Sequence, residues 1–254
     1  MSKRTERLGE TLINNFGSEM IIVEYRKAGD IDVYFPEYDY TAEHVRYGDF
    51  KKGEIKCPFE PRVFGIGYIG VGEYKASENG KATKVYGTWK DMLKRCYDPK
   101  YHMKRPTYFN CEVCEEWLNF QNFASWYEEN YYEIEDKVMC LDKDILVKGN
   151  KIYSPDTCVF VPQEINNLFT KRDAARGELP LGVSTNRRTN KFEAQCKVNG
   201  KTTYIGRYNS PEEASAAYKE YKEELIKSIA DEYKEYIPDK LYDAMYNYDV
   251  SIFD

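Results

Sequence analysis

Histidine is nearly missing from this 254-residue chain, which has two, at positions 44 and 102. A metal or catalytic site built mainly of imidazoles is therefore excluded. Long apolar runs are missing as well. No stretch approaches the roughly 20 residues needed to span a bilayer, and the opening MSKRTERLGE lacks the apolar stretch of a signal peptide. No membrane partner and a cytoplasmic location are expected. The seven cysteines are an odd number, and in a cytosolic chain they read as reduced thiols or metal ligands rather than a disulfide framework. Cys111-x-x-Cys114 is half a zinc site, but no second such pair accompanies it, so zinc is not expected.

With 42% hydrophobic and 31% charged residues, the chain falls in the globular class, and its length suits two or three small domains. The net charge of −6 argues against nucleic acid only until it is placed along the chain. From Lys171 to Arg207 there are nine Lys and Arg against three acids, whereas Tyr208 to Asp254 has five Lys against twelve acids. Tyr108 to Asp136 holds eight acids and no Lys or Arg. Screening limits the reach of separate charges to about 8–10 Å, so a basic face can coexist with an acidic total.

Residues 18–74 alternate β-like runs (MIIVEYR, IDVYF, VFGIGYIGVGEY) with Gly, Pro and Asp, which predicts a small β-rich module. The glycines at 65, 67, 70 and 72 precede no helix pattern, so they predict tight turns or strand crossings rather than a dinucleotide site. SENGKA (77–82) reads as a polar turn or linker. Trp89, Met92, Leu93 and Cys96 then recur at helical spacing, as do Trp117, Phe120, Phe123 and Trp126, and both sets are expected in a core. Near the C-terminal end, KFEAQCKV and KTTYIGRY flank Asn199-Gly200, a strong hairpin signal. Ser210, Pro211 and Glu213 then predict the capped start of a long helix. Its expected apolar stripe is Ala214, Ala217, Tyr218, Tyr221 and Leu225, facing Phe192, Ala194, Cys196 and Val198.

This last stretch resembles the APETALA/ethylene-response-factor type of DNA-binding domain through Gly182-Val183, FEAQCKVNGKTTYIGRYNSPEEASAAY and the Ala-rich helix. The resemblance implies a three-stranded sheet laid in the major groove of double-stranded DNA. Gln195, Lys197, Thr202 and Tyr204 are then on the outward face, Arg187 and Arg188 in the preceding turn, and Arg207 at the strand end.

The stretch TWKDMLKRCYDPKY, CEVCEEWLNFQNF and CLDKDILVKGNKIYSPDTCVFVPQEINNLF resembles HNH-type homing endonucleases of phages. It implies a β-hairpin and helix around a divalent metal. The corresponding frame is Asp142 with Lys143, then Thr157, then Asn166. Asp142 and Asn166 are the oxygen ligands expected for Mg²⁺, with Asp142, Lys143 and Asp144 as catalytic candidates. A lysine with an ordinary pKa near 10.4 cannot act as base at neutral pH, and Thr157 cannot orient one as an amide does, so weak or no cleavage is expected.

The combined expectation is an α+β, multi-domain phage protein in its host's cytoplasm. It comprises a β-rich module (1–76), an HNH-like ββα-metal domain (84–170), a three-stranded antiparallel sheet packed on one helix (178–235) and an acidic, Tyr-rich tail (236–254). The rival reading is a non-catalytic regulator or anti-defence protein that engages a host protein through its acidic surfaces.

Overall fold

The computed structural model describes residues 6–170, 179–198 and 200–251, and the chain divides into two compact units, residues 1–129 and 130–254. Both helices and small sheets are present, an α+β composition. The stretch 84–170, which carries the HNH resemblance, has residues on both sides of the division.

The first unit begins with an antiparallel meander of β1 (Thr11–Ile13), β2 (Glu19–Lys27), β3 (Asp30–Phe35) and β4 (Tyr40–Val45). Strict alternation along β3 buries Ile31, Val33 and Phe35, and these join Met20, Ile22 and Tyr25 of β2. The short α1 (Tyr47–Lys51) adds Phe50 to the same core.

The run VFGIGYIGVGEY, expected as β, contains no strand and makes only isolated bridges. It is a strap across the helical part of this unit. A Cβ at position 67 would collide with Leu93 and Trp89, and one at position 70 with Asn119, so these glycines permit close backbone approach. Tyr68 N donates to Leu118 O, and Phe120 N donates to Tyr68 O, both at 2.9 Å. The Gln121 side chain completes the attachment, accepting from Tyr74 N and donating to the carbonyls of Ile69 and Tyr74.

The SENGKA segment forms a tight hairpin, β5 (Ser77–Glu78) and β6 (Lys81–Ala82), with positive φ at both Asn79 and Gly80. Thr83 caps α2 (Lys84–Tyr97), whose buried residues are the expected Trp89, Met92, Leu93 and Cys96. After α3 (Pro99–Lys104) and β7 (Glu112–Val113) comes α4 (Phe120–Asn130), which buries Phe120, Phe123 and Trp126. Trp117, in the turn before it, lies tilted against Trp126 with ring centroids 4.6 Å apart, and its carbonyl accepts from the Trp89 indole at 2.7 Å.

In the second unit, β8 (Met139–Asp142) precedes β9 (Ile152–Tyr153) and pairs antiparallel with β10 (Val159–Pro162), followed by α5 (Gln163–Phe169). Leu141, Ile145, Tyr153, Val159, Phe160 and Ile165, apolar at positions that pack a hairpin on a helix, are all buried. The sheet β11 (Val183–Asn186), β12 (Lys191–Val198) and β13 (Lys201–Tyr208) is antiparallel in sequence order. It packs on α6 (Pro211–Tyr233), whose Ser210 cap accepts from Glu213 N.

The buried face of α6 runs through Ala214, Tyr218, Lys222, Ile226, Ala230 and Tyr233. Ala217, Tyr221 and Leu225, expected in that stripe, are only half-buried. Steps of four follow a ridge inclined to the helix axis, so the buried stripe winds gradually around α6 as it passes from the sheet to the C-terminal segment. The tail docks through α7 (Asp239–Tyr246), which buries Leu241 and Met245, while no strand follows it among the described residues. One core runs from Ile145 and Ile165 through Ala194 and Tyr218 to Tyr233 and Met245.

Candidate nucleic-acid interface

The outward face of the sheet is set by what β12 buries. Ala194 and Cys196 point into the core, so Gln195 and Lys197 point away from it. Across the pair, Lys197 is opposite Thr202, Gln195 opposite Tyr204 and Glu193 opposite Arg207. Between the last two the register shifts, and Ile205 is the extra residue on β13. Without that bulge the parity of β13 would turn Arg207 toward the core, so the bulge places it on the face of Tyr204.

Lys197, Thr202 and Tyr204 are exposed, and Gln195 is half-buried. The turn from β11 to β12 is closed by Asn186 Oδ1, which accepts from Arg188 N at 3.0 Å and Thr189 N at 3.2 Å. This leaves both Arg187 and Arg188 exposed. Lys191 at the start of β12 is also exposed. Its place in the series 191, 193, 195, 197 was available from the sequence, although the resemblance did not single it out.

The Arg207 guanidinium is not free. Its Nη2 donates to Glu193 Oε1 at 2.8 Å and its Nε at 3.2 Å, while Asn186 Nδ2 donates to the same oxygen at 2.8 Å. These two partners hold the Glu193 carboxyl below the usual carboxylate range, Asn186 most strongly. Arg187, Arg188, Lys191 and Lys197 make no ion pair among the described residues. They form the uncompensated charge of this face. Of the Asn199-Gly200 turn, Asn199 lies outside the described residues, as do positions 171–178 of the basic block, and Gly200 has φ +82°.

The structure also brings together part of the expected nuclease frame. Asp142 ends β8 opposite Val159. Its Oδ1 accepts from the backbone N–H groups of Asp144 and Ile145, each at 2.8 Å, and so closes the turn that follows. Burial, with the charge of Asp144 adding to it, pushes the Asp142 carboxyl up to about 6. Lys143 is only 5% exposed, and its Nζ donates to Asp144 Oδ2 at 3.1 Å and Asn150 O at 3.0 Å. Asn150 Nδ2 donates in return to Lys143 O and Ile152 O, both at 2.7 Å. Thr157 Oγ1 is tied to Ile152 O and to Ser154.

This arrangement is a poor fit to Mg²⁺. The ammonium of Lys143 already neutralises Asp144, one oxygen of Asp142 is committed to backbone N–H groups, and Asn166 contributes no carboxylate. Among the described residues, the one group of three His, Cys, Asp or Glu side chains close enough to hold an ion is Asp30, Asp32 and His44. There Arg26 lies on both carboxylates, holding Asp30 near 2, so the positive charge is already supplied. Cys111 and Cys114 are in no disulfide. No helix among the described residues is long and apolar enough to cross a membrane.

No protein-family model, curated protein or solved structure matches the chain.

Proposed function

We propose that this protein binds double-stranded DNA through the outward face of β11–β13, and that its ββα unit, related to phage HNH homing endonucleases, supports the fold and cleaves DNA weakly or not at all. The observation that carries the reading is the set of four exposed, unpaired cations, Arg187, Arg188, Lys191 and Lys197, beside the polar Gln195, Thr202 and Tyr204 on a helix-backed sheet. A helix-covered sheet needs no such outer face for its stability. A polyanion needs it for binding, because each cation placed on a phosphate releases condensed counterions. A two-stranded ribbon fits the major groove, where Gln195, Thr202 and Arg side chains reach base edges.

Weak cleavage follows from Lys143. Held between Asp144 and Asn150, it supplies inside the hairpin the positive charge that a metal would bring, but it activates no water. Backbone amide NMR of the protein with a 20-base-pair duplex tests the location. Titration is expected to shift the resonances of β12, β13 and the 187–190 turn and to leave β2–β4 unmoved. A shift map centred on residues 6–129 would refute it.

A further inference from the structure

Lys222 lies in the middle of the buried face of α6 and is only 7% exposed. It makes no hydrogen bond or ion pair among the described residues. The ionisable group nearest to it in effect is the thiol of Cys196, which burial pushes up and so keeps neutral. The other buried lysine, Lys143, has two oxygen partners, so the lack of partners at Lys222 is not a general habit of this core. Taking an ammonium out of water without a counter-charge is costly, and a core of this kind would normally contain a Leu or Met at that step of the helix.

The side chain borders a cavity of about 320 Å³ within the second unit. Leu168, Phe169, Leu181 and Tyr248 form an apolar wall, and the polar lining includes Lys222 together with Gln195 and Lys197 of β12. Phe169 and Tyr248 meet edge to face at 4.7 Å, which stiffens that wall. The volume is at the small end of ligand pockets and suits a single ring or a short aliphatic body.

We infer that this cavity is a binding site for a small organic oxyanion, a carboxylate or phosphate attached to one aromatic or aliphatic body, whose charged end is met by Lys222. The pairing is reciprocal. The ligand gives the buried ammonium the counter-charge that the protein does not, and the apolar wall removes the ligand body from water. Burial alone lowers the pKa of Lys222, and a bound anion would restore it. The site adjoins the proposed DNA surface, because Gln195 and Lys197 of β12 also line the cavity, whereas Lys222 enters it from α6.

Isothermal titration with benzoate, phenyl phosphate, inorganic phosphate and the uncharged benzamide tests the inference. The expected result is 1:1 binding of benzoate or phenyl phosphate with Kd below about 1 mM. Inorganic phosphate should bind more weakly, because it lacks the body, and benzamide should not bind. The two aryl anions compared show whether carboxylate or phosphate is preferred. Lys222→Met, which removes a buried charge at nearly constant volume, should retain the fold and weaken anion binding at least about tenfold, which is the loss of one charge-assisted contact. If that variant does not fold, Leu181→Trp, which fills the cavity and keeps the lysine, should abolish binding. The inference is overturned if no anion binds, if benzamide binds as tightly as benzoate, or if a folded Lys222→Met or Leu181→Trp variant keeps the wild-type affinity.

Discussion

Glu193 and Arg207 face each other across β12 and β13, and the carboxylate takes two hydrogen bonds from the guanidinium on the same face as Lys197 and Tyr204. The pair is internal to the proposed DNA surface, so the carboxylate neutralises one of that surface's cations. Glu193→Gln should release Arg207 toward phosphate. Duplex affinity at low salt is expected to rise about two- to fivefold, and the log–log salt slope to steepen by about 0.9, as for one added phosphate contact. Fluorescence anisotropy across a salt series reads both. An unchanged slope means that Arg207 stays off the DNA.

Gly182 has φ +74°, and a Cβ there would enter the ring of Tyr218. Gly182→Ala is therefore expected to cost about 2–4 kcal/mol, combining left-handed backbone strain with overpacking between β11 and α6. Gly200, with φ +82°, has open space around it, so Gly200→Ala should cost only about 1 kcal/mol. Urea unfolding of the two variants separates them, and equal losses would mean that the close packing on Tyr218 does not matter.

Asp142 titrates at about 6 in the folded protein, against an ordinary value near 4, because burial and Asp144 disfavour its charge. The folded state therefore holds the proton more tightly than the unfolded chain. The stability this gives is fully present below about pH 4 and is lost as pH rises through about 6, a change of up to about 3 kcal/mol. Asp142→Asn keeps an oxygen for the N–H groups of Asp144 and Ile145 and carries no charge. It should flatten that pH dependence and be at least as stable as the wild type at pH 7. A variant that is less stable at pH 7 and retains the pH dependence would show that the ionised carboxylate is required.

Cleavage is expected to be slow or absent. General-base assistance is typically worth 10²- to 10⁴-fold, and Lys143, whose ammonium is bound to Asp144 and Asn150, does not supply it. Plasmid incubated with the protein in Mg²⁺ or Mn²⁺ should stay supercoiled over hours. Lys143→His with Thr157→Asn restores the side chains suited to the frame, but should first show as lower thermal stability, because it removes the ammonium that joins 143 to 150. Rapid cutting by the wild type, abolished by Asp142→Ala, would contradict this.

Local chemistry was legible wherever a short pattern determines a backbone. The Ser210 cap, the stripe on α2, the alternation of β12 and the apolar set of the ββα hairpin all follow from spacing that burial then satisfies. Features set by distant contacts were not legible. VFGIGYIGVGEY has the composition of a strand but lies as a strap, because Trp89, Leu93 and Asn119 need the space that its glycines leave. The Ile205 bulge has no sequence mark, yet it decides where Arg207 points. Lys222 escaped because a lysine in an apolar stripe looks like an interruption. Steps of four from Ala214 to Ala230 do pass through it, so a signal was there.

The central claim is that the unpaired cations of the sheet hold DNA. Its most direct test is duplex affinity as a function of salt for the wild type and for Arg187→Ala, Arg188→Ala, Lys191→Ala and Lys197→Ala combined. These positions are exposed, so the fold should survive the change. The account predicts that the log–log slope shrinks in magnitude by about 3–4, close to 0.9 for each phosphate contact removed, with binding lost at physiological salt. An affinity and slope unchanged in the fourfold variant would contradict it, and the face would then be no more than a solvated surface.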